Sequence, residues 1–125
     1  MEIDEWYVPF NNESDMINAK EELQTLLDKL KQQQLSIVCA EITYEDDYGD
    51  SRTAIRLPLA HTESELEQFF KQLDFRYSNG FGTQYLYGTV WLTYGTWLSR
   101  WEYDGSEGWQ LNKQPIIPQY LRKTN

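Results

Sequence analysis

At 125 residues the chain has the length of one domain and can bury a core without metal or disulfide staples. Nineteen aromatics, among them five Trp and nine Tyr, must supply much of that core. A net charge of −9 and a pI near 4.5 argue against binding a nucleic-acid backbone or an anionic membrane, because either needs clustered Lys and Arg. A single cysteine, Cys39, excludes an intrachain disulfide framework, and its place in the apolar run Leu35–Ala40 predicts a buried, inert thiol in a reducing compartment.

The opening Met1-Glu2-Ile3-Asp4-Glu5 has neither a basic nor an apolar export region, and no apolar run approaches the ~20 residues that span a bilayer. A cytoplasmic protein with no direct membrane contact is expected. Glu5–Phe10 predicts a short edge strand, ended by Pro9 and the polar Asn11-Asn12-Glu13. Ser14 is then the expected N-cap of an amphipathic helix running to about Gln33. Met16, Ala19, Leu23, Leu26, Leu27 and Leu30 share one face of it, and Asp15, Glu21, Glu22 and Asp28 project elsewhere. Docking of that stripe on the domain's own sheet is favoured over a coiled coil, for which two heptads are too few.

Leu35–Tyr44 and Arg52–Leu59 predict a hairpin, with Glu45-Asp46-Asp47-Tyr48-Gly49-Asp50 as its polar loop. Thr62-Glu63-Ser64-Glu65 is a capping box ahead of Leu66, Phe69, Phe70 and Leu73, whose spacing predicts a second helix to residue 73. Strands follow at Tyr85–Thr93, Thr96–Tyr103 and Trp109–Asn112, separated by Tyr94-Gly95 and by Asp104-Gly105-Ser106-Glu107. The Asp-Gly pair suits a tight turn with positive φ. No linker divides the chain, so residues 1–125 are expected to form one α+β domain: a mainly antiparallel sheet with two helices packed on one face.

Charge is unevenly distributed. Residues 1–50 hold thirteen acids against three lysines, and residues 51–125 hold seven acids against eight bases. Chemistry-bearing motifs are few. The acid-dense loop 45–50 departs from the calcium-loop pattern, and His61 and Cys39 are the sole residues of their kinds, so no metal or other cofactor is expected. His61 has no nucleophile motif beside it. Glu102 and Glu107 flank a turn as an acid/base pair might, but two acids there are more economically solubilising, and an enzyme is not expected.

Two surfaces remain as candidates. Glu21, Glu22 and Asp28 on the first helix, with Glu45, Asp46, Asp47 and Asp50 in the loop, would offer carboxylates to a basic protein surface, as a DNA mimic does. Alternatively, Trp97, Trp101 and Tyr103 share one face of the strand Thr96–Tyr103 and could form a platform for a glycan, a nucleobase or a peptide. The same rings could equally be core beneath the helices, with Arg100 and Glu102 solvated on the opposite face.

Gly88-Thr89-Val90-Trp91, Gly95-Thr96-Trp97, Glu102-Tyr103-Asp104-Gly105-Ser106-Glu107 and Pro115-Ile116-Ile117-Pro118 together give residues 80–118 a recognisable texture. It resembles that of short acidic proteins of bacteriophages and mobile elements. The resemblance transfers no catalytic residue; it implies a setting in which small acidic proteins inhibit host defence or nucleic-acid-acting proteins. The expected partner is therefore the basic surface of such a protein, with no direct nucleic-acid contact.

Overall fold

The computed structural model describes residues 6–7, 16–45, 52–78, 80, 84–115 and 117–122. Its element order is β1 (Trp6–Tyr7), β2 (Met16–Asn18), α1 (Ala19–Lys31), β3 (Ile37–Glu45), β4 (Arg52–Leu57), α2 (Glu63–Gln72), β5 (Arg76–Ser78), β6 (Leu86–Leu92), β7 (Thr96–Tyr103), β8 (Ser106–Lys113) and a closing 3-10 turn, Gln119–Leu121. Six strands form one antiparallel sheet in the order β1-β8-β7-β6-β3-β4, and β2 pairs with β5 as a separate ribbon. This is the α+β architecture expected from the sequence.

Strand alternation divides the sheet into two unlike faces. One row of partners, Leu57, Ala40, Val90, Leu98 and Leu111, runs unbroken across β4, β3, β6, β7 and β8, and every member is buried. Leu23, Leu26 and Leu30 of α1 and Phe69 and Leu73 of α2 join those residues in a single core, so both helices cover the same face. The amphipathic spacing read from each helix is the stripe that it buries.

The start of α1 differs from expectation. Met16–Asn18 are extended and pair with Arg76–Ser78, so the helix begins at Ala19, and Met16 is exposed rather than part of the apolar stripe. Asn18 is the N-cap: its side-chain oxygen accepts the Glu21 N–H at 3.0 Å, and its amide donates to Asp74 at 2.9 Å. The expected cap, Ser14, lies outside the described residues. The Ala19 N–H, which an earlier start would have placed inside the helix, donates instead to the Phe75 carbonyl at 2.8 Å. Pairing with a distant strand thus overrides a local signal.

Elsewhere the local signals hold. Thr62 and Glu65 form the reciprocal capping box, with Thr62 N–H to Glu65 at 2.9 Å and Glu65 N–H to Thr62 at 3.1 Å. Both tight turns of the β6-β7-β8 meander use positive φ, at Tyr94 (62°) and Gly95 (71°) and at Asp104 (51°) and Gly105 (87°). Gly88 is not a turn residue; it sits inside β6, opposite Ile42.

Candidate functional site

The face of the sheet turned away from the helices carries the aromatic ribbon. In β7 the core-facing residues are Leu98 and Arg100, so Trp97, Ser99, Trp101 and Tyr103 point to the other side. Trp97 and Trp101 are half-buried, and Tyr103 is 78% exposed. The alternative that placed these rings beneath the helices and Arg100 in solvent is therefore corrected.

Neighbouring strands extend the ribbon with residues that the sequence pattern had not singled out. Trp91 of β6 stands directly opposite Trp97 and is 45% exposed; Tyr87, four residues earlier on the same strand, is also exposed. Gly108 of β8 opposes Trp101, and a Cβ there would lie 3.0 Å from Trp101 Cζ2 and 3.1 Å from Cε2. The indole thus lies across the glycine, which makes room for it. Between the rings run short polar side chains: Asn112, opposite Trp97, donates its amide to Ser99 Oγ at 2.9 Å. Cys39 faces this side too, opposite Trp91 after an irregularity in β3 between Ile37 and Cys39, and is only partly buried rather than a core thiol.

The acidic surface is less coherent than the sequence suggests. Glu22 is buried and is not a partner-binding surface residue; its helix turns it inward beside Leu23 and Leu26. Glu21 and Asp28 are exposed on α1. Glu45 ends β3 and pairs with Arg52 at 3.3 Å, as Glu41 pairs with Arg56 at 2.7 Å, so β4 neutralises both. Asp46, Asp47 and Asp50 lie outside the described residues.

Glu22 belongs to a buried cluster behind the ribbon. Arg100 Nη2 donates to Glu107 Oε1 at 2.6 Å and to the Tyr77 hydroxyl at 3.0 Å, and that hydroxyl donates to Glu22 Oε1 at 2.5 Å. Arg100 Nη1 lies 3.7 Å from Glu22, and the guanidinium carbon is 4.7 Å from the Trp109 ring centroid. Glu107 also accepts the backbone N–H groups of Tyr85 at 2.8 Å and Leu86 at 3.1 Å, which anchors the entry to β6. The Arg100 side chain is 3% exposed and its carboxylate partners less, which keeps substrate away and makes the cluster a staple between α1, β5, β7 and β8. Glu102 and Glu107 are cross-strand partners of β7 and β8 but differ in setting: Glu102 is exposed at the turn, where it accepts the Gly105 N–H, and Glu107 is buried against Arg100.

Burial raises the Glu22 pKa above its ordinary value, against the attraction of Arg100 and the Tyr77 hydrogen bond, because the Arg100 charge is already matched by Glu107. Burial likewise pushes the Tyr77 hydroxyl up. A carboxyl whose pKa is raised on folding contributes stability that is fully present below its unfolded value and lost as pH rises through the folded value. Glu22→Gln should therefore be more stable than the natural chain at neutral pH, with the difference vanishing as pH falls to the ordinary Glu range. Urea midpoints of both proteins across that interval measure it; a Gln variant less stable at neutral pH would mean that Glu22 is ionised and held by Arg100.

His61 places Nδ1 3.0 Å from the Pro58 carbonyl in the loop before α2. Among the described residues no three His, Cys, Asp or Glu come together as a metal site, and no helix is long and apolar enough to cross a membrane. Comparison with protein-family models, curated proteins and solved structures finds no match.

Proposed function

We propose that this chain is a binding protein that holds a basic protein partner on the aromatic outer face of its sheet. The observation that carries this is the direct opposition of Trp91 and Trp97 on central strands, flanked by Tyr87, Trp101 and Tyr103, on the face turned away from α1 and α2. Large, rigid rings on a hydrogen-bonded sheet give contact area at little entropic cost, and Trp and Tyr dominate protein-binding hot spots.

Charge selects the partner's chemistry. A net −9 disfavours phosphate-bearing ligands and favours a surface rich in Arg and Lys. Such side chains can lie on indole faces and reach the exposed Asp104 beside Tyr103. In the phage or mobile-element setting that residues 80–118 suggest, the partner is a host defence or nucleic-acid-acting protein whose basic surface the chain occupies. The acids of the N-terminal half then act at longer range, steering encounter rather than making the central contact.

The partner is to be captured on the immobilised chain, purified, and titrated against variants. Trp91→Ser with Tyr103→Ser should weaken binding by about 2 kcal/mol or more. Glu63→Gln with Glu67→Gln on the helical side should change it little, and added salt should slow association. Binding that survives loss of both rings but fails when Glu21 and Asp28 are neutralised would return the contact to the acidic surface.

A further inference from the structure

The outer face of the sheet is set out in rows as regular as the core beneath it. Successive cross-strand partners Arg56, Glu41, Thr89, Ser99 and Gln110 run across β4, β3, β6, β7 and β8, and each is polar and at least partly exposed. Two residues along the strands to one side stand Trp91 and Trp97, and two residues to the other side stand Tyr87 and Trp101. A polar lane thus crosses the strands between two aromatic walls.

The lane keeps hydrogen-bonding capacity unspent. Among the described residues the Thr89 hydroxyl and the Gln110 side-chain amide have no partner, and Ser99 Oγ accepts from Asn112 at 2.9 Å while its own proton stays available. These groups are uncharged, and at the β4 end Arg56 and Glu41 neutralise each other at 2.7 Å. Hydroxyls and a carboxamide match the N–H and C=O groups of a peptide backbone. A folded partner spends those groups on its own secondary structure, whereas an extended segment offers them along its whole length.

The dimensions agree. Neighbouring strands lie about 4.8 Å apart, so five strands give the lane a length of about 19 Å, which an extended chain rising about 3.3 Å per residue fills with about six residues. Its side chains leave the backbone alternately to left and right and so fall on the two walls in turn. Arg and Lys suit those rings through cation–π contact, and the chain's net charge of −9 favours them.

We propose that the partner binds through one extended, basic segment laid across the strands, with its backbone on Thr89, Ser99 and Gln110 and its side chains on Trp91, Trp97, Tyr87 and Trp101. This rests on the aromatic face being the protein-binding surface, and it adds what the partner presents there: a tail or loop rather than a folded basic surface.

A fluorescent peptide of two Arg-Arg-Ser-Ser repeats tests the proposal by anisotropy on the full chain. The natural protein should bind it, and methylating alternate backbone nitrogens, which keeps every charge, should weaken binding about fivefold or more. Thr89→Val with Gln110→Met should weaken binding of the plain peptide by a similar factor, with circular dichroism showing an unchanged fold. The same pair should add little to the loss from methylation, because both changes remove the same bonds. Trp91→Ser should weaken both peptides. A methylated peptide that binds as well as the plain one, a lane variant that binds normally, or a neutral linear oligosaccharide that displaces the label better than plain peptide does would each overturn the extended segment. Absence of peptide binding, beside a captured partner that still needs Trp91 and Tyr103, would overturn it and leave the protein-binding face standing. A captured partner indifferent to both rings would remove the face itself.

Discussion

Replacing Arg100 with Met should lower the stability of the folded chain by about 3–5 kcal/mol, the usual cost of removing one partner from a buried ion pair. Methionine fills much of the space and keeps contact with Trp109, so the loss reports charge rather than volume. What remains is two buried carboxyls: Glu107, held by the Tyr85 and Leu86 N–H groups, and Glu22, held by the Tyr77 hydroxyl. Domains of this size are stable by only about 5–15 kcal/mol, so the loss would be visible in any denaturant titration. The decisive comparison is a chain carrying Glu22→Gln, Arg100→Met and Glu107→Gln together. It should recover part of the loss, because no charge is then left unpaired, whereas Glu107→Gln alone should be severe. If Arg100→Met alone is as stable as the natural chain, the cluster is not the staple described above.

That cluster was not legible in the sequence, and the reason is physical. Alternation along β7 sets Trp97, Trp101 and Tyr103 on one face and Leu98, Arg100 and Glu102 on the other, but it cannot say which face meets the helices. Aromatic bulk argues for burying the Trp side. Arg100 reaches the core face because Glu107 meets it from the adjacent β8 and Glu22 and Tyr77 arrive from α1 and β5, which are distant in sequence, and no local pattern announces that meeting. Leu98 was the one available clue, since its row continues through Val90, Ala40 and Leu111. Glu22 is hidden by the same logic: on a helical wheel it borders the stripe of Leu23 and Leu26, and the Tyr77 hydroxyl that it accepts on the inner side comes from a distant strand.

Local structure was far more readable. The capping box at Thr62 and Glu65, the helix stripe through Leu23, Leu26 and Leu30, the strand Thr96–Tyr103 and the positive-φ turn at Asp104-Gly105 all depend on near neighbours in the chain. The β2–β5 ribbon depends on residues about sixty positions apart and escaped notice. The binding face falls between these cases. Its β7 rings were readable as a set, but Trp91 joined them only through the register of β6 against β7.

A substitution at Gly88 should be the most damaging single-methyl change in the sheet. Gly88 lies within β6 at φ 133°, in the left-handed half of conformational space that side chains avoid. It also opposes Ile42 so closely that a Cβ would overlap the Glu41 carbonyl oxygen and lie 2.8 Å from the Ile42 Cα. Both obstacles are backbone, so no rotamer change relieves them. The two strands would have to separate, opening the junction where Ile42 and Val90 are fully buried. Gly88→Ala should therefore cost about 3 kcal/mol or more, combining backbone strain with disrupted packing. β6 also carries Tyr87 and Trp91, so the same change should weaken partner binding even in whatever fraction stays folded. Gly95→Ala provides the contrast: its φ is also positive, but its Cβ would meet only the Gln114 side chain at 3.3 Å, and that side chain can move. Thermal melts of the two variants, with binding measured well below the lower midpoint, separate the effects. If Gly88→Ala melts with Gly95→Ala, the close approach of β3 and β6 does not constrain the sheet. If Gly88→Ala is destabilised yet binds its partner normally, the register that aligns Trp91 with Trp97 is not what presents the face.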